Sequence, residues 1–144
     1  MICGKTPGKP ERTTKRKDGR VIPETVKQAW TKREGPVVLA TVNKEGLPNI
    51  IYASCVSLHG DKRLVIADNY FDKTRVNIKA GSKGAVLFIT GDNKAYQLKG
   101  TVEYHTSGPV FDDMRNWNSP THPGHAAAAL VVEEVFSGAE RITT

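Results

Sequence analysis

Three residues suited to binding a phosphate group follow one another in the middle of the chain: Lys73, Thr74 and Arg75. They open a predicted short helix, and Asp72 before them is a residue type that caps first-turn N–H groups. A helix N-terminus offers unpaired N–H donors and a partial positive charge, to which an ammonium, a hydroxyl and a guanidinium group would add. The pattern indicates a phosphate seat. The alternative is an ordinary surface helix that carries two solvated cations.

Two buried strands are predicted on either side of this helix, within the stretch 64–90. The first contains Leu64, Val65 and Ile66, and the second runs from Ala85 to Ile89. Gly81 is expected to end the helix, because glycine adopts positive φ without steric cost. The chain therefore places the three polar residues at the end of a buried strand.

Other patterns that could indicate a metal site or a catalytic site are weak. His122 and His125 are three residues apart, but Pro123 and Gly124 separate them and no third ligand is close in sequence. No nucleophile elbow, P-loop or dinucleotide fingerprint is present, and no Ser/His/Asp triad can be read from the sequence. We expect no metal site, and the residues alone assign no catalytic group.

The 144 residues are predicted to form one mainly β domain. A helix is expected over Pro23–Glu34, stopped by Gly35, and another over Pro109–Trp117. Gly100 interrupts its strand as a bulge or a barrel corner would. Six strands with turns between them favour a small closed barrel, and they are predicted over Val37–Val42, Leu47–Leu58, Arg63–Ala67, Ala85–Ile89, Lys94–His105 and Ala126–Phe136.

The positive charge is concentrated at one end of the chain. The formal net charge is +6, of which residues 1–20 carry +5, so residues 21–144 are nearly neutral. We predict a basic, flexible arm over 1–20 and a folded domain over 21–144, and we do not expect nucleic-acid binding. The alternative is an arm that contacts an anionic partner.

Location is predicted from three further features. The longest wholly apolar run, Ala126–Val132, is too short to span a membrane, and the N-terminus has no apolar stretch of signal-peptide length. Cys3 and Cys55 do not suggest a disulfide framework. We therefore expect a cytoplasmic protein without membrane contact.

The order of these motifs resembles the FMN-binding split-barrel family, within the pyridoxamine 5′-phosphate oxidase-like superfamily. The resemblance covers about residues 22–141 and rests on the order of the segments, among which the Lys73, Thr74 and Asn77 pattern is moderately specific. The segments are ATVNKEGLPN, IYAS, VIADNYFDKTRVNIK, GAVLFI, YQLKGTVEYH and HPGHAAAALVVEEVFSG. The resemblance implies a six-stranded antiparallel split β-barrel with a few short flanking helices.

It also implies a homodimer with FMN in a groove at the subunit interface. Asn77 is interpreted as a buried amide that ties the helix to the barrel, and Asp72 as a cap that does not touch the phosphate. The residues that the resemblance assigns to the cofactor are Lys73 and Thr74 for the phosphate, Tyr52, Ala53 and Ser54 along the ring, Ala67 and Asp68 near the ring or ribityl chain, Gln97 at the ring edge, and His125 from the partner subunit.

The chain departs from the oxidases in two ways. Lys73-Thr74 stands where the oxidases have an Arg-Lys pair, and in this the chain is like the small FMN-binding proteins. We also expect the chain to lack the basic C-terminal extension that binds substrate in the oxidases. The first hypothesis is thus an FMN-dependent oxidoreductase or electron carrier with an unknown substrate or redox partner. The alternatives are the same fold binding the deazaflavin F420 or haem, and a non-enzymatic binding module with a polyanion-binding arm.

Overall fold

The computed structural model describes residues 21–143, which form three helices and eight strands. The predicted basic arm, residues 1–20, lies outside this range. The helices are α1 (Glu24–Trp30), α2 (Lys73–Lys79) and α3 (Pro109–Trp117). The strands are β1 (Arg33–Val42), β2 (Pro48–Ala53), β3 (Val56–His59), β4 (Arg63–Asp68), β5 (Lys83–Thr90), β6 (Ala95–His105), β7 (Ala126–Ser137) and β8 (Glu140–Ile142). None of the helices within 21–143 is long and apolar enough to cross a membrane.

One antiparallel sheet contains all of these strands, in the order β2-β1-β5-β6-β7-β4-β3, with β8 added to β7. Its edge strands β2 and β3 are consecutive in the chain, and only Ser54 and Cys55 lie between them. Three residue steps span at most roughly 11 Å. The sheet must therefore curl until its two edges approach at this bend, which confirms the mainly β, split-barrel prediction.

The predicted number of six strands is too low. The single strand expected over Leu47–Leu58 is divided into β2 and β3, which pair with β1 and β4 at opposite edges of the sheet. The alternation of side chains continues almost unchanged through the bend, so the pattern carries no sign of a break. The short strand β8 was also absent from the prediction.

Gly35 does not stop the first helix, as the sequence predicted. The helix ends at Trp30, and Gly35 lies inside β1 with φ +74°, where the pairing with β5 shifts register between Glu34 and Val38. The pairing of Arg33 with Thr90 draws this segment into the sheet. Gly81, in contrast, follows α2 with φ +98°, which confirms its predicted place beyond the helix.

Two apolar clusters hold the fold together. The main one fills the barrel, where the Trp30 ring meets Phe88 edge-on at 5.2 Å between centroids and Phe88 stacks on Tyr96 at 5.1 Å. The second lies between α3 and the outer face of β4 and β7, where Met114 packs in one cluster with the fully buried Ala127 and Ala129. β7 is thus covered on both faces, which explains its run of small side chains.

Gly100 lies at a bulge, as predicted from its place in the strand pattern. The β6–β7 register shifts between Lys99 and Gly100. A Cβ atom at Gly100 would lie 1.9 Å from the carbonyl oxygen of Val131. Because that oxygen belongs to the backbone of the neighbouring strand, only glycine permits this approach.

We expect Gly100→Ala to lower the free energy of unfolding by at least about 1–3 kcal/mol, because the methyl group must displace a β7 backbone carbonyl. Chemical denaturation followed by circular dichroism measures the change. Thr101→Ala is the matched control, since Thr101 is exposed on the same strand, and its effect should stay within about 0.5 kcal/mol. Equal effects of the two substitutions would contradict the role of the close approach.

Candidate functional site

A cleft of about 370 Å³ opens where β2, the end of β4 and the start of α2 come together. This volume lies in the range of small-molecule sites. The cleft is bordered by the Ser54–Cys55 bend, so it lies at the split between the two sheet edges. Its lining residues are Asn49, Ile51, Tyr52, Ala53, Ser54, Cys55, Ala67, Asn69, Tyr70, Phe71, Asp72, Lys73, Thr74 and His122.

Small and apolar side chains form much of the cleft wall. Ala53 and Ala67 present nothing beyond a methyl group, so a flat ligand can approach the backbone there. Phe71 is largely buried, whereas Tyr52 and Tyr70 line the cleft and are mostly exposed. Because β2 is an edge strand of the described sheet, the backbone N–H and C=O groups on its outer side have no strand partner.

Polar groups from the first turn of α2 occupy one side of the cleft. The Thr74 hydroxyl is buried and accepts a hydrogen bond from Asn49 Nδ2 at 3.0 Å, which leaves its own proton available to an acceptor in the cleft. The Lys73 side chain is 77% exposed, and its Nζ lies 3.7 Å from Asp72 Oδ2. An exposed cation and a hydrogen-bonded hydroxyl thus lie on the same side of the cleft.

Asp72 holds the N-cap position of α2, but its side chain makes no capping hydrogen bond. The predicted capping by its carboxylate is therefore wrong. The Asp72 backbone has φ −135° and ψ −89°, and the side chain is 86% exposed beside Lys73. The first turn is held by the Asp72 carbonyl oxygen, which accepts from Arg75 N at 3.1 Å.

Arg75 does not join Lys73 and Thr74 in a phosphate seat, contrary to the sequence pattern. Its guanidinium group forms a two-point ion pair with Asp68, with Nε 2.8 Å from Oδ2 and a terminal nitrogen 3.0 Å from Oδ1. Asp68 is fully buried and also accepts from Phe71 N and from the Tyr104 hydroxyl. The Asp68 side chain is thus satisfied within the protein and does not line the cleft.

The ionisation of this cluster follows from its contacts. Burial raises the pKa of Asp68, but hydrogen bonds from Arg75, Tyr104 and Phe71 N outweigh it, so the pKa lies below its ordinary value. The hydrogen bond to Asp68 raises the pKa of Arg75 further above its ordinary value. Burial, and then the bond to Asp68, raises the pKa of Tyr104. The cluster is therefore a carboxylate–guanidinium pair at neutral pH.

A reciprocal pair of amides holds the loop at residues 118–125 beside the cleft. Asn69 Nδ2 donates to Asn118 Oδ1 at 3.1 Å, and Asn118 Nδ2 donates to Asn69 Oδ1 at 2.9 Å. Asn69 Oδ1 also accepts from Gly124 N, and the Asp68 carbonyl oxygen accepts from His125 N. This anchoring brings His122 into the cleft wall.

The structure places six of the nine predicted cofactor residues along the cleft: Tyr52, Ala53, Ser54, Ala67, Lys73 and Thr74. The other three lie elsewhere. Asp68 is buried beneath the loop, Gln97 lies on β6 between β5 and β7, and His125 is exposed outside the cleft of its own chain. Contact of any of the nine with FMN stays a prediction.

Several lining residues had no functional role in the sequence analysis. Cys55 and His122 are 67 residues apart, and no local pattern connects them.

Asn77 behaves as interpreted, since it is buried and donates from Nδ2 to Thr41 Oγ1 of β1 at 3.0 Å. Within residues 21–143, no three His, Cys, Asp or Glu side chains are grouped so that they could hold a metal ion.

Sequence comparisons agree with the fold. The pattern of the pyridoxamine 5′-phosphate oxidase family matches residues 22–137. An uncharacterized protein of Methanocaldococcus jannaschii is 38% identical over 106 residues, which are 70% of this chain and 71% of that protein.

Similar solved structures include HupZ of Group A Streptococcus, with a TM-score of 0.72 and 25% identity over 85% of this chain and 98% of that one. An FMN-binding protein from Syntrophomonas wolfei has a TM-score of 0.64 and 20% identity, over 72% of this chain and 77% of that one. An F420 reductase has a TM-score of 0.59 and 19% identity, over 80% of this chain and 98% of that one. The last two likenesses show the fold alone.

We expect Asp68→Asn to lower the free energy of unfolding at pH 7 by about 1.5–3 kcal/mol, the range for hydrogen bonds to a charged group. The folded carboxyl has a lowered pKa, so as the pH falls the unfolded chain takes up its proton first, near the ordinary pKa of 3.8. The advantage of the wild type should therefore be complete above about pH 5 and shrink below 3.8.

Denaturant titrations at several pH values measure this difference. Asp112→Asn is the control, because Asp112 is exposed on α3, and its effect should stay within about 0.5 kcal/mol. A difference between wild type and Asp68→Asn that stays constant from neutral to acidic pH would contradict the assignment.

Proposed function

The chain belongs to the pyridoxamine 5′-phosphate oxidase family, and from that premise we propose that its cleft binds FMN. The protein would act as a flavin-dependent oxidoreductase or electron carrier. The observation that carries the proposal is the composition of the cleft, which combines small and apolar walls with a cation and a buried hydroxyl at one side. A fold-related protein from Syntrophomonas wolfei is itself an FMN-binding protein.

The donor set suits the two parts of FMN. The Lys73 ammonium and the Thr74 hydroxyl can hold a phosphate dianion through charge-assisted hydrogen bonds. The isoalloxazine ring is flat and largely apolar, and Ala53 and Ala67 leave room for it against the backbone. Alternate residues of β2 direct their backbone N–H and C=O groups to the outer edge, where they have no strand partner and could meet the polar ring edge. FMN, when bound, would supply the electron transfer.

Asp72 works against an anionic ligand. Its exposed carboxylate lies 3.7 Å from Lys73 Nζ, where it competes with a phosphate for the ammonium and repels it. The proposal therefore makes opposite predictions for two adjacent side chains. Removal of the cation weakens binding, and removal of the carboxylate strengthens it.

The first experiment is the absorption spectrum of the purified protein, with the released cofactor identified by mass. We expect the two flavin bands and stoichiometric FMN. A Soret band would identify haem, and the mass of F420 would identify the deazaflavin for which a fold-related reductase is named. Protein that stays colourless, and binds no added FMN, would exclude the proposal.

Fluorescence titration with FMN then tests the phosphate seat. Lys73→Ala should weaken binding by roughly 1.5–3 kcal/mol, about ten- to 150-fold in Kd. Asp72→Asn should tighten binding about two- to fivefold, the scale of an exposed ion pair. Lys94→Ala, an exposed lysine in the β5–β6 turn, is the charge-matched control and should change nothing. An FMN affinity of Lys73→Ala equal to that of the wild type would contradict the proposed phosphate seat.

A homodimer is part of the same proposal. One face of the β2–β1–β5 sheet carries exposed apolar side chains, with Ile50 68% exposed and Tyr52 77%. Tyr52, Val38 and Leu87 lie side by side across the three strands. Contiguous apolar surface of this kind marks an interaction site. Because Tyr52 also lines the cleft, a second copy on this face would border the cofactor.

The cytoplasmic location and the redox partner stay predictions from the sequence.

Leu87→Arg tests the dimer, because it places a charge in the middle of the apolar face. We expect a dimeric wild type and a monomeric variant in light scattering after size exclusion, with FMN affinity at least about tenfold lower in the variant. Asn116→Arg on the exposed side of α3 adds the same charge elsewhere and should leave the dimer intact. A monomeric wild type at micromolar concentration would contradict this part of the proposal.

A further inference from the structure

A thiol and an imidazole meet in the wall of the cleft. Cys55 Sγ lies 3.6 Å from His122 Nδ1, within reach of a hydrogen bond to sulfur. Both side chains are half-buried and both line the cleft. Cys55 is the cysteine of the described range, and it forms no disulfide there. The cleft therefore contains a sulfur nucleophile in direct contact with a nitrogen base.

Backbone hydrogen bonds and a ring contact hold Cys55 and His122 in place. The Cys55 carbonyl oxygen accepts from Ala67 N at 3.0 Å, which fixes the bend between β2 and β3. His122 N donates to the Ser119 carbonyl oxygen at 2.9 Å, and the Tyr70 ring meets the imidazole edge-on with 6.0 Å between centroids. Cys55 is thus held by Ala67 and His122 by Tyr70, two residues of the β4 end and the loop after it.

The surroundings of the pair contain few charges. The other ionisable groups that line the cleft are Tyr52, Tyr70, Asp72 and Lys73. From α3, Arg115 reaches the same loop and donates to the Pro123 carbonyl oxygen at 3.5 Å. Asp68 is already paired with Arg75. No carboxylate among the described residues pairs with the imidazole of His122 in place of the thiol.

A nucleophile and a base within hydrogen-bond reach form the arrangement that activates a weak nucleophile. A thiolate attacks soft electrophiles, and a thiol does not. In a closed core such a pair would be inert, because no reagent reaches it. Here the cleft gives small molecules a path to the sulfur.

We propose that Cys55 and His122 form a peroxide-reactive thiol site in the cleft wall. The imidazole takes the thiol proton, and the sulfur attacks one oxygen of hydrogen peroxide. The S–O bond forms as the O–O bond breaks, and the leaving hydroxide takes a proton to become water. The sulfur loses two electrons to give a sulfenic acid, and peroxide is reduced to water. One small thiol then converts the sulfenic acid to a mixed disulfide and water, and a second thiol attacks that disulfide, which releases Cys55 as the thiol and the two small thiols as their own disulfide.

Peroxide reactivity of the cofactor-free protein does not require FMN in the cleft, so the thiol site stands or falls separately from FMN binding. The experiment treats the full-length, cofactor-free protein with hydrogen peroxide at pH 7 in the presence of dimedone, which traps sulfenic acids. Mass spectrometry of the tryptic peptide 45–62 follows Cys55 alone, since Cys3 falls in another peptide. N-acetylcysteine in the same buffer provides the rate of a free thiol.

We expect Cys55 to react faster than the free thiol and His122→Gln to slow the reaction at least about tenfold, because base assistance contributes this much or more. His59→Gln is the matched control, since His59 pairs with Asp113 outside the cleft, and its rate should stay within twofold of the wild type. Thermal unfolding of each variant checks that it is folded.

Two results would overturn the proposal. One is a wild-type rate at or below that of N-acetylcysteine, which needs no variant and decides the matter even if His122→Gln fails to fold. The other is an equal rate in wild type and a folded His122→Gln, which would show that the imidazole does not act on the sulfur. His122→Asn provides a second substitution of the same kind.

Discussion

The cleft depends on one buried carboxylate. Asp68 ends β4 and, with no exposed surface, binds the Arg75 guanidinium, the Tyr104 hydroxyl and the N–H of Phe71. These bonds fix the loop between β4 and α2 and the first turn of the helix. Successive helical residues are turned by about 100°, so residues two apart point to nearly opposite sides. With Arg75 directed to Asp68, Lys73 is turned away from the interior and stays exposed beside the cleft.

The second constraint is topological. β2 and β3 are opposite edges of the sheet, yet only two residues join them. The sheet therefore curls, and the bend at Ser54–Cys55 becomes part of the cleft wall. β2 then contributes to three different surroundings. One edge pairs with β1, the other edge faces the cleft with backbone groups that have no strand partner, and its outward side chains extend the apolar face of the sheet. In the proposed dimer, ligand binding and subunit association are thus coupled through a single strand.

The cleft brings together two kinds of chemistry that come from distant parts of the chain. The first turn of α2 supplies the cation and hydroxyl, whereas the bend after β2 and the loop after α3 supply the thiol and imidazole. The amide pair of Asn69 and Asn118 connects the two sides, because Asn69 follows Asp68 directly and Asn118 begins the loop that carries His122. A ligand in the cleft and a reagent at Cys55 would therefore contact two sides of one cleft that this amide pair joins.

The sequence by itself determined the mainly β class, most strand positions, the Gly100 bulge, the place of Gly81 and six of the residues that line the cleft, because these follow from local periodicity, from steric limits and from family resemblance. Only the tertiary structure decided the division of Leu47–Leu58, the inclusion of Gly35 in β1, the use of Arg75 as the partner of Asp68 and the meeting of Cys55 with His122. The physical reason is the same in each case. Side-chain alternation and residue type describe what a segment can do, whereas the partner that a strand pairs with, or that a charge binds, is set by residues far away in the chain.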